Sequence, residues 1–343
     1  MAFAYDNLKL DKGMYQEAGR TFTQVLESQD PSERYQGTSL EGLDAFQRQL
    51  KRFDIRVSGP KSDTIAKFFG TSDSAALFPE YVARAVLQGM DESAVIQSII
   101  ASKTVINSLD YRTIATADGH DVSASVVAEG AAIPETVIKL KDNLVRLTKR
   151  GRMLVASYEA VKFQRIDLFS ITLKQIGAYI TKAQLADAVN VLINGDAPGD
   201  ANGNAAEIVK TAEAGKLSYD DLLALWGRFS DFQMNTLIAS PDMMQKLLVL
   251  TELRDPVAGL NFTGSGMIGT PLGANVIRCA AVPAGTIVAL DKNFALEMVT
   301  AGDITVDYDK LINTQLERAA VTSTSGFAKI FPDAVKVLTL KTA

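Results

Sequence analysis

Histidine and cysteine occur once each in this 343-residue chain, at His120 and Cys279. A single cysteine excludes an internal disulfide and a thiolate metal cluster. A single histidine removes the side chain most used for proton transfer and metal ligation near neutral pH. No apolar run reaches the roughly 20 residues that a bilayer span requires, so no membrane partner is expected. The segment MAFAYDNLKLDKGMYQ has acidic and basic residues from its first turns and no apolar stretch, so it does not read as a secretory signal. A basic excess is also missing. Lys and Arg number 35 against 40 Asp and Glu, a net charge of −5, which argues against tight sequence-independent binding of nucleic acid. What is present, 47% hydrophobic and 22% charged residues, is an ordinary globular composition. It suits one large core or two to three domain-sized units and rules out a disordered or collagen-like chain.

Along the first 75 residues, Met14, Ala18, Phe22, Val25 and Leu26 recur at helical spacing up to the break SQDPSE. Leu43, Phe46 and Leu50 suggest a second helix ended by SGPKSD. These stripes are too sparse to enclose a core, so the region is expected to pack on something else. FPEYVARAVLQGM (78–90) reads as a helix and SAVIQSIIASKTVI (93–106) as a buried helix or strand. From residue 110 the period falls to two, and YRTIATA and VSASVVAEG look like strands around the turn ADGHD. In TVIKLKDNLVRLTKRGRMLVAS (136–157) apolar and charged residues alternate, with Asp142 and Asn143 where a tight turn would fall. The spacing predicts a long hairpin carrying Lys139, Lys141, Arg146, Lys149, Arg150 and Arg152 against one acid, Asp142. Pattern alone leaves open a solvated edge hairpin or one lying on another surface, which an isolated two-stranded ribbon needs for stability.

The strongest helical signal runs from about Asp167, a favourable N-cap, to Asn194, and ends at Gly195. At 1.5 Å per residue this is a rod of roughly 40 Å. GDAPGDANGNAAE (195–207) follows as a turn. LSYDDLLALWGRF reads as a helix capped by Ser218, NTLIAS as a buried strand, and PDMMQKLLVLTEL as a helix begun by Pro241. NVIRC, TIVAL, FALEMV, ITVDYD and VKVLTL read as strands, and the threonine- and valine-bearing segment 312–331 favours strand over helix. Helices and strands mix without βαβ alternation, so the class expected is α+β.

No motif forms a catalytic or cofactor site. GSGMIG, with Gly264, Gly266 and Gly269, matches the dinucleotide fingerprint literally but lacks a preceding strand and runs into Thr270-Pro271. Asp200, Asn202 and Asn204 do not have the glycine and glutamate spacing of a calcium loop. His120 reads as an exposed turn residue, and Cys279 as a small buried hydrophobe. Adjacent Asp220 and Asp221 point about 100° apart on a helix and are better placed to favour its N-terminus than to share a proton. Neither cofactor, metal nor enzymatic activity is expected.

The ordered set of parts resembles the HK97-like major capsid proteins of tailed bacteriophages. VVAEGAAIPE (126–135), the basic segment 136–157 and the helix 167–194 ending in INGD resemble the start of the extended E-loop, the E-loop and the spine helix. TLIASPDMMQKL and MIGTPLGANVIRC resemble parts of the axial (A) domain, and ALDKNFALEMVTAGDITVDYD through GFAKIFPDAVKVLTL the closing section. The resemblance covers about 120–343 well and 1–119 only in layout.

It implies an N-terminal arm and helical region at 1–92, peripheral (P) domain at 93–124, E-loop at 125–157, spine helix at 158–204, A-domain at 205–292 and 332–343, and P-domain return strands at 293–331. It implies an icosahedral shell of hexamers and pentamers enclosing double-stranded DNA, with the six basic residues meeting acidic groups of a neighbouring copy. A separate scaffolding protein, a portal protein, non-specific contact with the packaged DNA and an optional decoration protein are implied as partners, and the virion, assembled in the bacterial host cytoplasm, as location. Some members cross-link an E-loop lysine to a neighbour's asparagine. Lys139, Lys141 and Asn313 stand nearest to such a pair, and no cross-link is expected. The alternative is an encapsulin-type shell enclosing cargo enzymes.

Overall fold

The computed structural model describes residues 4–16, 20–91, 95–108, 110–116, 129, 138–196, 204–254, 272–302, 304–311, 313 and 315–342. In chain order the helices are α1 (Phe22–Gln29), α2 (Ala45–Arg52), α3 (Ser72–Ala75), α4 (Phe78–Asp91), α5 (Tyr158–Phe163), α6 (Ile166–Asn194), α7 (Tyr219–Trp226), α8 (Pro241–Val249) and α9 (Thr251–Arg254). The first strands are β1 (Ser102–Ile106), β2 (Ile114–Thr116), β3 (Ile138–Leu140), β4 (Thr148–Ser157), β5 (Glu207–Ala214) and β6 (Thr236–Ala239). The remainder are β7 (Asn275–Arg278), β8 (Thr286–Leu290), β9 (Leu296–Ala301), β10 (Thr305–Leu311), β11 (Leu316–Lys329) and β12 (Val335–Lys341). The α+β class is thus met. The chain divides into one unit of Met1–Ala94, Lys149–Thr181 and Gly302–Thr324, and a second of Val95–Thr148, Lys182–Ala301 and Ser325–Ala343.

In the first unit, the sparse N-terminal stripes find their core on later parts of the chain. Phe22, Val25, Leu26, Phe46 and Leu50 join Phe78, Val82 and Val86 of α4, Leu173, Ile176 and Ile180 of α6, and Val321 of β11 in one buried cluster. Helix α1 begins at Phe22 rather than near Met14, because Thr21 and Gln24 close a reciprocal capping box there. Asp44 and Gln47 cap α2 in the same way. Arg48 is fully buried. Its Nε donates to Asp30 Oδ2 at 2.8 Å, and its other nitrogens donate to Asp30 O, Leu43 O and Ser32 Oγ. Tyr35 lies under the guanidinium at 4.3 Å and donates its hydroxyl to Asp30 Oδ1. Helices α4 and α6 cross at two glycines. A Cβ on Gly89 would fall 2.1 Å from Lys174 O, and one on Gly177 2.1 Å from Val86 O. Strand β10 pairs antiparallel with the first part of β11, Thr305 opposite Thr322 to Leu311 opposite Leu316, and β4 also pairs with β11.

The second unit holds a five-stranded sheet ordered β5-β12-β8-β6-β7. All five residues of β8 are buried, because both faces are covered. Val288 and Leu290 face a cluster with Leu185, Ala188 and Leu192 of α6, while Ile287 and Ala289 face Leu222, Leu225, Met243 and Leu247 of α7 and α8. Strand β12 lies between β5, which it joins in parallel, and β8, which it joins antiparallel. Beside this sheet, β9 pairs in parallel with β1 and antiparallel with the end of β11. Cys279 is buried in the apolar cluster, as expected.

The hairpin expected at 136–157 is built from other arms. The two-stranded ribbon pairs β2 with β3, Ile114 opposite Leu140 and Thr116 opposite Ile138. Asp142 and Asn143 make a bend that does not fold β3 onto β4, and β4 goes instead to β11. Leu154 and Ala156 explain why, since their side of β4 packs into the apolar cluster of the first unit. Asp167, expected as the N-cap, lies within the first turn of α6, where its carboxylate accepts from the Leu168 N–H and pairs with Arg165 at 2.8 Å.

Candidate assembly surface

Strand alternation and burial separate the six basic residues chosen from the sequence. Lys139, Lys141 and Arg146 belong to the second unit, and Lys149, Arg150 and Arg152 to the first. Lys139 on β3 and Arg146 are exposed, as are Lys149 and Arg152 on β4, and Arg150 is half-buried. Arg152 reaches over the exposed ring of Tyr179, 5.9 Å from its centroid. Met153 and Val155, both about half exposed, leave apolar surface on β4.

Lys141 differs from the other five. Its ammonium donates to Asp196 Oδ2 at 3.1 Å and to Lys329 O, with only 9% of its side chain exposed and 2% of that of Asp196. Asp196 closes the end of α6. Beyond Lys141, its carboxylate accepts from the Lys329 N–H at 3.1 Å and from Asn204 Nδ2 at 3.0 Å. Lys329 is itself fully buried and donates its Nζ to Leu192 O and Asn204 O. Leu192 O is one of the carbonyls left over at a helix C-terminus, where a cation is favoured. Burial nevertheless pushes the Lys329 amine down to about 8, while Asp196 pulls the other way.

A second buried charge, Glu297 on β9, is satisfied by hydroxyls. Its Oε1 accepts from Thr104 Oγ1 at 2.5 Å and Tyr111 Oη at 2.8 Å, and its Oε2 from Thr113 Oγ1 at 2.5 Å. Sequence reasoning missed Asp196, Glu297 and Lys329. Asp196 read as turn composition, and FALEMV only as a strand, although the one charge within that apolar run, Glu297, is a signal for a buried partner network.

No group of three or more His, Cys, Asp or Glu able to hold a metal occurs among the described residues. His120, VVAEGAAIPE apart from Glu129, GSGMIG, Asp200 and Asn202 lie outside them. Asp221 acts as a capping residue. Burial works to raise its carboxyl, but the N–H groups of Ala212 and Ser218 and the Ser218 hydroxyl outweigh it and hold the group below the usual range. In the first unit a cavity of about 20 Å³ beside Phe78, Leu154 and Tyr308 has room for one water molecule. No described helix is long and apolar enough to cross a membrane.

Residues 141–330, more than half of the chain, match the family model described as phage capsid protein. No curated protein matches the sequence. The fold is similar to that of the virus-like particle from Pyrococcus furiosus, with TM-score 0.50, 13% identity, and 76% of this chain and 99% of that one covered. It is similar to the capsid of the native GTA particle, with TM-score 0.53, 16% identity and 73% and 91% covered. A third similar structure is that of Gordonia phage Cozz, with TM-score 0.52, 14% identity and 72% and 87% covered.

Proposed function

The chain belongs to the phage capsid protein family, and from that premise we propose that copies of it close into hexamers and pentamers of an icosahedral shell around double-stranded DNA. It is a structural major capsid protein, and the observation that carries this reading is the family match over 141–330, which includes the whole of α6. Helix α6 serves as the spine of the P-domain. The sheet drawn from 207–290 and 335–341 supports assigning 205–292 and 332–343 to the A-domain. The shell is formed by shape and contact, without catalysis. The ribbon of β2 and β3 reaches a neighbouring copy, and Lys139, Arg146, Lys149 and Arg152 meet acidic groups there. Lys141 is retained inside its own subunit. Such charges set partner and register more than raw affinity.

A separate scaffolding protein, a portal protein, transient contact with DNA and an optional decoration protein complete the particle, which is assembled in the host cytoplasm. The net charge of −5 supports a lumen that does not grip DNA. Electron microscopy of the expressed protein tests the reading. Closed shells are expected, and subunits that stay monomeric under every assembly condition would overturn it. Nuclease-resistant DNA in particles recovered from infected cells separates a virion from an encapsulin-type cargo shell. Deleting the residues between Thr116 and Ile138 should leave a folded subunit that forms no closed particle.

A further inference from the structure

Among the described residues the ribbon pairs Ile114–Thr116 with Ile138–Leu140, and a two-stranded ribbon by itself is at best marginally stable in water. Below it the arms remain joined, Lys141 N–H to Thr113 O at 2.9 Å and Val145 N–H to Tyr111 O at 2.8 Å. Each arm then ends on a buried carboxylate. The arm leading into β2 delivers the Tyr111 and Thr113 hydroxyls to Glu297, and the arm leaving β3 delivers the Lys141 ammonium to Asp196.

Both anchors meet at one pair of strands, β9 and β11. Glu297 lies opposite Ala328, and Lys329, whose N–H and C=O take part in the Asp196 junction, lies opposite Leu296. Two residues before Ala328 on β11 the outgoing arm rests on bare backbone, because a Cβ on Gly326 would fall 2.6 Å from Arg146 O. Val145 fills the seat against Val299 and Ala328. Apolar packing alone would tolerate a slip of the arms. A buried carboxylate is satisfied in one geometry and costs its full desolvation in others.

We propose that Asp196 and Glu297 are positioning residues for assembly, gripping one arm each so that the ribbon leaves the subunit in the single direction that lets a ring of copies close. This rests on the reading that the ribbon joins neighbouring copies in a shell. Neither carboxylate touches the neighbour, and both act through Lys141, Tyr111 and Thr113.

The test uses Asp196→Asn and Glu297→Gln in the full chain, with the uncharged pair Tyr111→Phe and Thr113→Val as a further variant should either fold poorly. Amide hydrogen exchange of the unassembled subunit reads the grip, and electron microscopy reads closure. Expected is at least about tenfold faster exchange over 111–116 and 138–145 with β8 unchanged, and about fivefold fewer closed particles, replaced by open or irregular ones. Unchanged exchange overturns the grip. Faster exchange with closed particles of wild-type yield and diameter overturns the positioning role. Closed particles from the chain lacking the residues between Thr116 and Ile138 would overturn the ribbon reading and the proposal together, whereas loss of closure in that deletion with normal closure in the point variants sinks the proposal alone.

Discussion

Gly89 and Gly177 face each other where α4 crosses α6, with an ideal Cβ on Gly177 only 3.1 Å from the Gly89 carbonyl carbon and 2.1 Å from Val86 O. The obstructing atoms are backbone on both sides, so no side chain can turn aside. Gly177→Ala gains helix propensity, yet it must separate the helices that hold Val82, Val86, Leu173 and Ile176 in one core. A loss of about 2 kcal/mol or more is expected, read as a lower urea midpoint. An unchanged midpoint would show that the helices move aside freely.

Arg48 and Asp30 should behave as a coupled pair. Arg48→Met leaves a fully buried carboxylate with the Tyr35 hydroxyl as its side-chain donor, a loss of about 3–5 kcal/mol. Adding Asp30→Asn should recover some of it. A double-mutant cycle in urea measures the coupling, and additive losses would contradict it.

Stability should depend on alkaline pH in two opposed ways. The Lys329 amine lies at about 8 in the folded chain against an ordinary 10.5. Between those values the unfolded chain holds a proton that the folded one has released, so stability rises with pH across that window. Tyr81, buried and donating to Ile166 O, is pushed up to about 12 from 10.0, so its contribution falls as pH climbs from 10 to 12. Urea midpoints at pH 8 and pH 9.5 should therefore rise in the wild type and not in Lys329→Met. Parallel profiles would count against the assignment.

Charge reversal at exposed Arg146 and Lys149 should slow assembly by about tenfold at low salt, with the wild-type and variant rates converging as ionic strength is raised. Time-resolved light scattering reads both. A variant that assembles at the wild-type rate in low salt would remove these residues from the neighbour contact.

Much of this architecture was legible as local pattern. The period of α6, the Ser218 cap, Pro241 at the start of α8 and the alternation in β11 each express backbone preferences that need no distant partner. The arms of the ribbon were not legible, because Asp142-Asn143 carries turn chemistry while the packing of Leu154 and Ala156 decides where β4 goes. Strand β5 also escaped notice, since all but two of its residues are exposed and its pairing depends wholly on β12. Lys141 looked like one cation among six. Only the fold brings Asp196, 55 residues later, and Lys329, 188 residues later, to meet it.

The place of β12 has a consequence for the order of events during synthesis. Its partners β5 and β8 are complete by Leu290, yet neither can pair with the other, because the position between them belongs to residues 335–341. Until those residues leave the ribosome, the sheet has a gap with open strand edges on both sides, and such edges invite pairing with other chains. A growing chain is therefore not yet a building block, and competence to join a shell is withheld until translation has passed Lys341.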